Sequence, residues 1–200
     1  MFADDCIIYT PITSVDDQIE LNNTLSGISA WCSENNMKIN TGKTKYMHIT
    51  TKKNTLCFDY ELDAVKLSKV DSYKYLGVII TSDLKWNKHV DYIKNKAIKK
   101  LWYLRRRLFR TPPSVKTLAY KALVRPTLEY ASEVWDPWQV TLSRELENVQ
   151  SLAMRSIFYD FRSTTSVTAL KRQAGLQPLK NRRMFQRLKL FFSNIPRVFF

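Results

Sequence analysis

Cysteine is sparse in this chain of 200 residues: Cys6, Cys32 and Cys57 stand alone, with no CxxC pair and no histidine at metal-ligand spacing. Such spacing gives no disulfide framework, argues against a structural zinc, and fits a reducing compartment. Long apolar runs are missing too, so no segment has the length needed to span a bilayer. The N-terminus has no signal-peptide pattern and carries acids at positions 4 and 5. A soluble intracellular protein is expected. Acidic residues are also few: 18 Asp and Glu face 32 Lys and Arg, a formal net charge of +14. That excess points to a polyanion, nucleic acid ahead of an acidic membrane, with plain solubility as the alternative. Hydrophobic residues make up 44% and charged residues 25%, so disorder is not the default.

The chemistry turns on Phe2-Ala3-Asp4-Asp5, followed by Cys6-Ile7-Ile8-Tyr9. Two adjacent carboxylates sit between apolar residues that read as strand, where a tight hairpin turn would fall. Like charges at contact distance repel, and a cation relieves them. Mg²⁺ prefers one or two carboxylates plus phosphate oxygens, and paired ions serve phosphoryl transfer. An acidic surface turn is the competing reading. Asp4 lies so near the first residue that the preceding strand is cut short; the chain either begins abruptly or is a piece of something longer.

Thr10-Pro11 should end the hairpin, and Ser14 is a candidate N-cap with Asp16 and Asp17 in the first turn. Ile19, Leu21, Leu25, Ile28 and Trp31-Cys32 recur at helical spacing, with a stop near Asn35-Asn36 and an apolar face set to cover a sheet. Met37–Asn40 and Lys45–Ile49 read as short strands around the turn Thr41-Gly42-Lys43-Thr44. Lys43 beside an acidic hairpin could meet a phosphate or protonate a leaving pyrophosphate; a solvent lysine in a glycine turn is the plainer account. The triplet lacks the upstream glycine of a P-loop, which is discarded. His48 reads as a structural histidine. Leu56–Leu67 suggests a hairpin with an acidic turn at residues 61–63, and Tyr73–Thr81 reads as one strand with a bulge or close approach at Gly77.

Asp83 is a candidate cap for a long helix. Its apolar stripe is Trp86, Val90, Ile93, Ala97, Leu101, Leu104 and Leu108. Around the stripe lie ten bases, among them Lys94, Lys96, Lys99, Lys100, Arg105 and Arg106, against the single acid Asp91. Solvated helix faces usually mix signs; this one resembles a track for a phosphate backbone. Trp102 and Tyr103 interleave with the bases and either stack or pack in the core. Pro112-Pro113 breaks the helix, a second helical pattern from Val115 to Trp135 should kink or split at Pro126, and a third runs from Leu142 to Phe158. Three helices on short loops make a small bundle. Gly175 should stop a further helix before a basic last one over Leu179–Phe192, and the apolar tail Val198-Phe199-Phe200 suggests a missing continuation.

In this order the motifs resemble the C-terminal half of a reverse transcriptase from non-LTR retrotransposons of the jockey or CR1 kind. Phe2-Ala3-Asp4-Asp5 is similar to the family's FADD/YADD motif. Met37–Asn40 with Lys43-Thr44-Lys45 resembles the next palm motif, whose lysine lies near the incoming nucleotide. Tyr75-Leu76-Gly77-Val78 resembles the strand that grips the primer end. The helix over residues 86–108 and the segment Leu123–Ala131 resemble the thumb. The ordered set covers about residues 1–160.

The resemblance implies an α+β fold: a partial palm of antiparallel strands with one packing helix (residues 1–82), then an all-α thumb-like helical bundle (83–160) and a helical extension (161–200). It implies RNA-directed DNA synthesis, in which a primer 3′-hydroxyl attacks the α-phosphate of a dNTP with Mg²⁺ on Asp4, beside Asp5. Lys43 would be catalytic, while Tyr75, Leu76 and Gly77 with Lys94, Lys96, Lys99, Lys100, Arg105 and Arg106 would hold an RNA template and DNA primer. The parent element would work in the nucleus, away from membranes. The family's third palm aspartate and its fingers lie upstream of FADD and not in these 200 residues, so the chain alone is expected to be inactive. The alternative is a non-catalytic basic nucleic-acid-binding module, a thumb remnant.

Overall fold

The computed structural model describes residues 5–52 and 58–193. They divide into two units. The first comprises residues up to Lys74 together with Ile80–Leu84; the second comprises Tyr75–Ile79 and the chain from Lys85 onward.

The first unit is built on α1 (Val15–Glu34). Ser14 caps it through a reciprocal box: its hydroxyl accepts from the Asp17 N–H, and the Asp17 carboxylate accepts from the Ser14 N–H at 2.8 Å. Thr13 donates to that carboxylate twice more, and these bonds pull its pKa down to about 2. The helix ends at Asn35, and Asn36 turns the chain with φ 55°. Three short pairings follow: β1 (Lys45–Tyr46) runs parallel to β4 (Ser68–Lys69), β2 (Glu61–Leu62) is antiparallel to β3 (Val65–Lys66), and β5 (Ser72–Tyr75) pairs with β6 (Val78–Thr81). Tyr60, Leu62 and Leu67 form the small core under Leu21, Leu25, Ile39 and Tyr46.

Several expectations change here. The mixed helix-and-strand class holds, but among the described residues the strands make three two-stranded pieces, one of them parallel. Consequently α1 covers only a small core, and Ile19 and Trp31 stay exposed. Residues 6–9 and 37–40 carry no strand; Tyr9 is 88% exposed, so alternation there has nothing to pack on. Residues 73–81 are a hairpin instead of one strand. Leu76 (φ 44°) and Gly77 (φ 84°) both turn left-handed, the signature of a type I′ two-residue turn.

The second unit is a helical bundle. α2 (Asn87–Arg107) starts one residue after Trp86, which makes no side-chain cap; Asp83 accepts from the Thr81 hydroxyl at 2.7 Å. The predicted stripe is the buried one: Val90, Ile93, Ala97 and Leu101 lie inside, joined by His89. α3 (Pro113–Ala119) runs through a π turn (Tyr120–Val124) into α4 (Arg125–Glu129). Pro126 has no N–H to offer and its ring crowds the carbonyl of Ala122. A wider turn makes room, with the Arg125 N–H reaching back to the Tyr120 carbonyl. After α5 (Ser132–Trp135) comes α6 (Val140–Phe158), which buries Leu142, Leu146, Val149, Ala153, Met154 and Ile157. α7 (Val167–Gln173) ends ahead of Gly175, which is left-handed at φ 61°, and α8 (Leu179–Ser193) closes the described chain. No helix among the described residues is long and apolar enough to cross a membrane.

Buried polar groups fix this bundle. Tyr120 Oη donates to Gln150 Oε1 at 2.9 Å, and Gln150 Nε2 donates to the Gln177 carbonyl at 3.0 Å. Arg183, fully buried, donates from Nε to Asp136 at 2.7 Å and from Nη2 to Ser143 Oγ at 2.9 Å. Arg182 grips Glu129 with two bonds of 2.5 and 3.0 Å. Arg187 pairs with Asp136 at 3.2 Å. The basic character of the last helix is therefore largely structural.

Candidate nucleic-acid interface

In the first unit, Asp4 lies outside the described residues, while Asp5 is exposed and takes part in an isolated bridge. Lys43 is exposed in the turn that follows Asn40; its backbone N–H donates to the Asn40 carbonyl and side-chain oxygen, both at 3.1 Å. Among the described residues no hydrogen bond or ion pair joins Asp5 to Lys43. No group of three or more His, Cys, Asp or Glu that could hold a metal ion occurs among them either. The described residues thus do not make up a magnesium site, and Asp4 lies outside them.

In the second unit, Tyr75, Leu76 and Gly77 form the tip of the β5–β6 hairpin. Tyr130, following α4, holds that tip. Its hydroxyl donates to the Leu76 carbonyl at 3.0 Å, and its ring lies where a Cβ on Gly77 would come within 3.3 Å. A left-handed leucine costs roughly 1–3 kcal/mol and persists where its surroundings over-determine it. Tyr130 supplies that constraint; it lies in the segment Leu123–Ala131 that the sequence singled out, but no sequence signal assigned it this role. The Ile79 N–H from β6 donates to His89 Nδ1 on α2 at 3.2 Å, and the His89 ring packs on Trp135 with centroids 4.9 Å apart. Burial holds the His89 pKa down near 4, so the ring is neutral.

The six cations singled out on α2 separate by environment. Lys94 bridges Asp91 at 2.7 Å and Glu145 of α6 at 2.6 Å, tying two helices together. Lys100 donates to the Leu123 carbonyl at 3.1 Å and to Thr127 at 2.8 Å, beside the π turn. Lys96 lies over the Tyr92 ring at 5.8 Å. Arg105 lies over Trp102 at 5.0 Å and over Phe161 at 5.3 Å. Lys96, Lys99 and Arg106 are exposed, and no carboxylate pairs with them or with Arg105 among the described residues. Trp102, half-buried, and Tyr103, exposed, do not enter the core and interleave with these bases. Arg107 lies over Tyr103 at 5.7 Å. The result is a face of unneutralised cations and aromatic rings, suited to phosphates and base faces.

Comparison with known proteins finds relatives for the chain. Residues 1–80 match the family model described as "Reverse transcriptase (RNA-dependent DNA polymerase)". The chain is similar to the probable RNA-directed DNA polymerase from transposon X-element of Drosophila melanogaster, 29% identical over 67% of this chain and 15% of the relative. It is also similar to the RNA-directed DNA polymerase from mobile element jockey of Drosophila funebris, 27% identical over 78% of this chain and 17% of the relative. A third relative is the probable RNA-directed DNA polymerase from transposon BS of Drosophila melanogaster, at 25% identity over 82% of this chain and 19% of the relative. The chain thus spans less than a fifth of the length of these relatives. No solved structure matches it. Residues 1–80 thus resemble the reverse transcriptases, and the chain as a whole is similar to RNA-directed DNA polymerases of mobile elements.

Proposed function

We propose that the chain is the palm end and thumb of a transposon reverse transcriptase, and that its own share of the work is to hold a template–primer duplex. The observation that carries this is α2, whose outward cations Lys96, Lys99, Arg105 and Arg106 lack carboxylate partners among the described residues. A helix that presents one sign of charge binds a phosphate backbone without choosing sequence. The hairpin tip at Tyr75, Leu76 and Gly77, fixed by Tyr130, is the part that would meet a primer end. RNA-directed DNA synthesis with dNTP and Mg²⁺ belongs to the complete enzyme, with Asp4, Asp5 and Lys43 at its chemistry. The 200 residues alone are inactive, because the family's third palm aspartate is not among them. The parent element acts in the nucleus.

Binding of a labelled RNA–DNA hybrid as a function of salt tests the reading. Affinity should fall steeply between 50 and 200 mM salt, with a log–log slope of roughly −0.9 per phosphate contacted. Charge reversal at Lys96, Lys99, Arg105 and Arg106 should abolish binding; unchanged affinity would sink the track.

A further inference from the structure

At the C-terminal end of α2 an open groove is lined by Trp102, Arg105, Arg106 and Phe109. Phe109 is 61% exposed, although burying a phenylalanine ring is worth about 1.5–3 kcal/mol. Its backbone is nonetheless held firmly. The Phe109 carbonyl accepts from Lys116 Nζ at 3.2 Å and from Tyr159 Oη at 3.3 Å. The two rings meet edge to face with centroids 5.6 Å apart, and Lys116 sits 4.2 Å over the centroid of Tyr159. On the other wall Arg105 is layered between Trp102 and Phe161. Around the groove the cations outnumber the acids, and Asp160, next to Phe161 in the chain, is taken by Arg162 at 2.7 Å.

A regular duplex hides its base faces in the stack, so a preset exposed ring among cations has no use for paired bases. We propose that this groove is a stacking site for single-stranded RNA: an unpaired base lies against Phe109 and the Arg105 guanidinium, with Arg106 and Lys116 toward the adjoining phosphates. The inference rests on the reading of α2 as a nucleic-acid-binding helix and shares Arg105 and Arg106 with it, but it assigns a further site at Phe109 and a different form of ligand.

The test uses the full chain with a labelled single-stranded RNA of about ten nucleotides and a copy in which the central nucleotides are abasic, so phosphates stay and bases go. One base–aromatic stack corresponds to roughly a fivefold to hundredfold affinity difference. The intact RNA should bind tighter than the abasic copy by that factor. Phe109→Ala, and Phe109→Leu, which keeps the apolar bulk without the ring, should bring the intact RNA down to the abasic level and leave abasic affinity unchanged. Equal binding of the two RNAs by the unaltered chain, or an intact-to-abasic ratio that survives both variants, overturns the site. Salt-dependent hybrid binding alongside that result would leave the duplex reading standing. No binding to hybrid or to either RNA would overturn both.

Discussion

Leucine is an unusual residue to find left-handed in a tight turn, and Leu76 is there beside Gly77. A type I′ turn favours Asn-Gly, because asparagine accepts positive φ at little cost. Leu76→Asn should therefore raise stability by up to about 1 kcal/mol in urea unfolding. If the leucine side chain serves a primer end, the same variant should bind a recessed hybrid end less well, so that stability and binding move in opposite directions. A second single-residue effect lies at His89. Its pKa, near 6.5 in an unfolded chain, sits near 4 in the fold, where Nδ1 accepts from Ile79. The unfolded chain then binds the proton first as pH falls. The stabilising contribution is complete above pH 6.5 and is lost as pH drops toward 4, about 3 kcal/mol over that window. Urea midpoints measured from pH 7 to pH 4.5 should fall accordingly, and a His89→Gln chain should show a flatter profile.

Among the elements, α8 depends most on buried charge. Arg183 is wholly inside and leans on Asp136, while Arg182 leans on Glu129, which is 7% exposed. Removing one partner of such a pair leaves a buried charge uncompensated and costs about 3–5 kcal/mol. Asp136→Ala should release α8 to limited proteolysis before the rest of the bundle, and lower the unfolding midpoint. The elements also show what the sequence can reveal. The stripes of α2 and α6, the Ser14 cap and the Gly175 stop were legible because local periodicity and capping chemistry suffice to define them. The β5–β6 hairpin was not. An apolar, β-rich run with one internal glycine reads equally as a single strand, and only the tertiary grip of Tyr130 makes a leucine acceptable in the turn. The roles of Arg182, Arg183 and Lys94 were hidden for a related reason. A positive charge in sequence looks the same whether it faces solvent or meets a carboxylate fifty residues away.

For the molecule as a whole, the +14 net charge is a sum over unlike populations. Part of it stitches α8 and α6 into the bundle, and part lines the outward side of α2. The motif order that suggested a reverse transcriptase agrees with the family match over residues 1–80, although Asp4, its foremost residue, lies outside the described residues. Primer extension on an RNA template with Mg²⁺ and dNTPs is the direct check on catalysis. The 200-residue chain should give no extension above background while still binding the hybrid; sustained synthesis by it alone would refute the inactivity proposed above.

The π turn at Tyr120–Val124 carries a consequence for lineage and for engineering. Such a turn accommodates one residue more than an α-helix would over the same span. Trimming one residue there would close the span into regular helix and press the Pro126 ring against the carbonyl one turn before it, at a cost of about 3 kcal/mol. Trimming one residue from the regular turns of α3 instead, where no bulge holds a spare one, would rotate everything beyond by roughly 100°. Glu129 would swing away from Arg182, Tyr130 would lose the Leu76 carbonyl, and the support for the hairpin tip would go with it. In this stretch, chain length is under tighter constraint than residue identity: substitutions at exposed Leu123 should be absorbed, whereas indels should not.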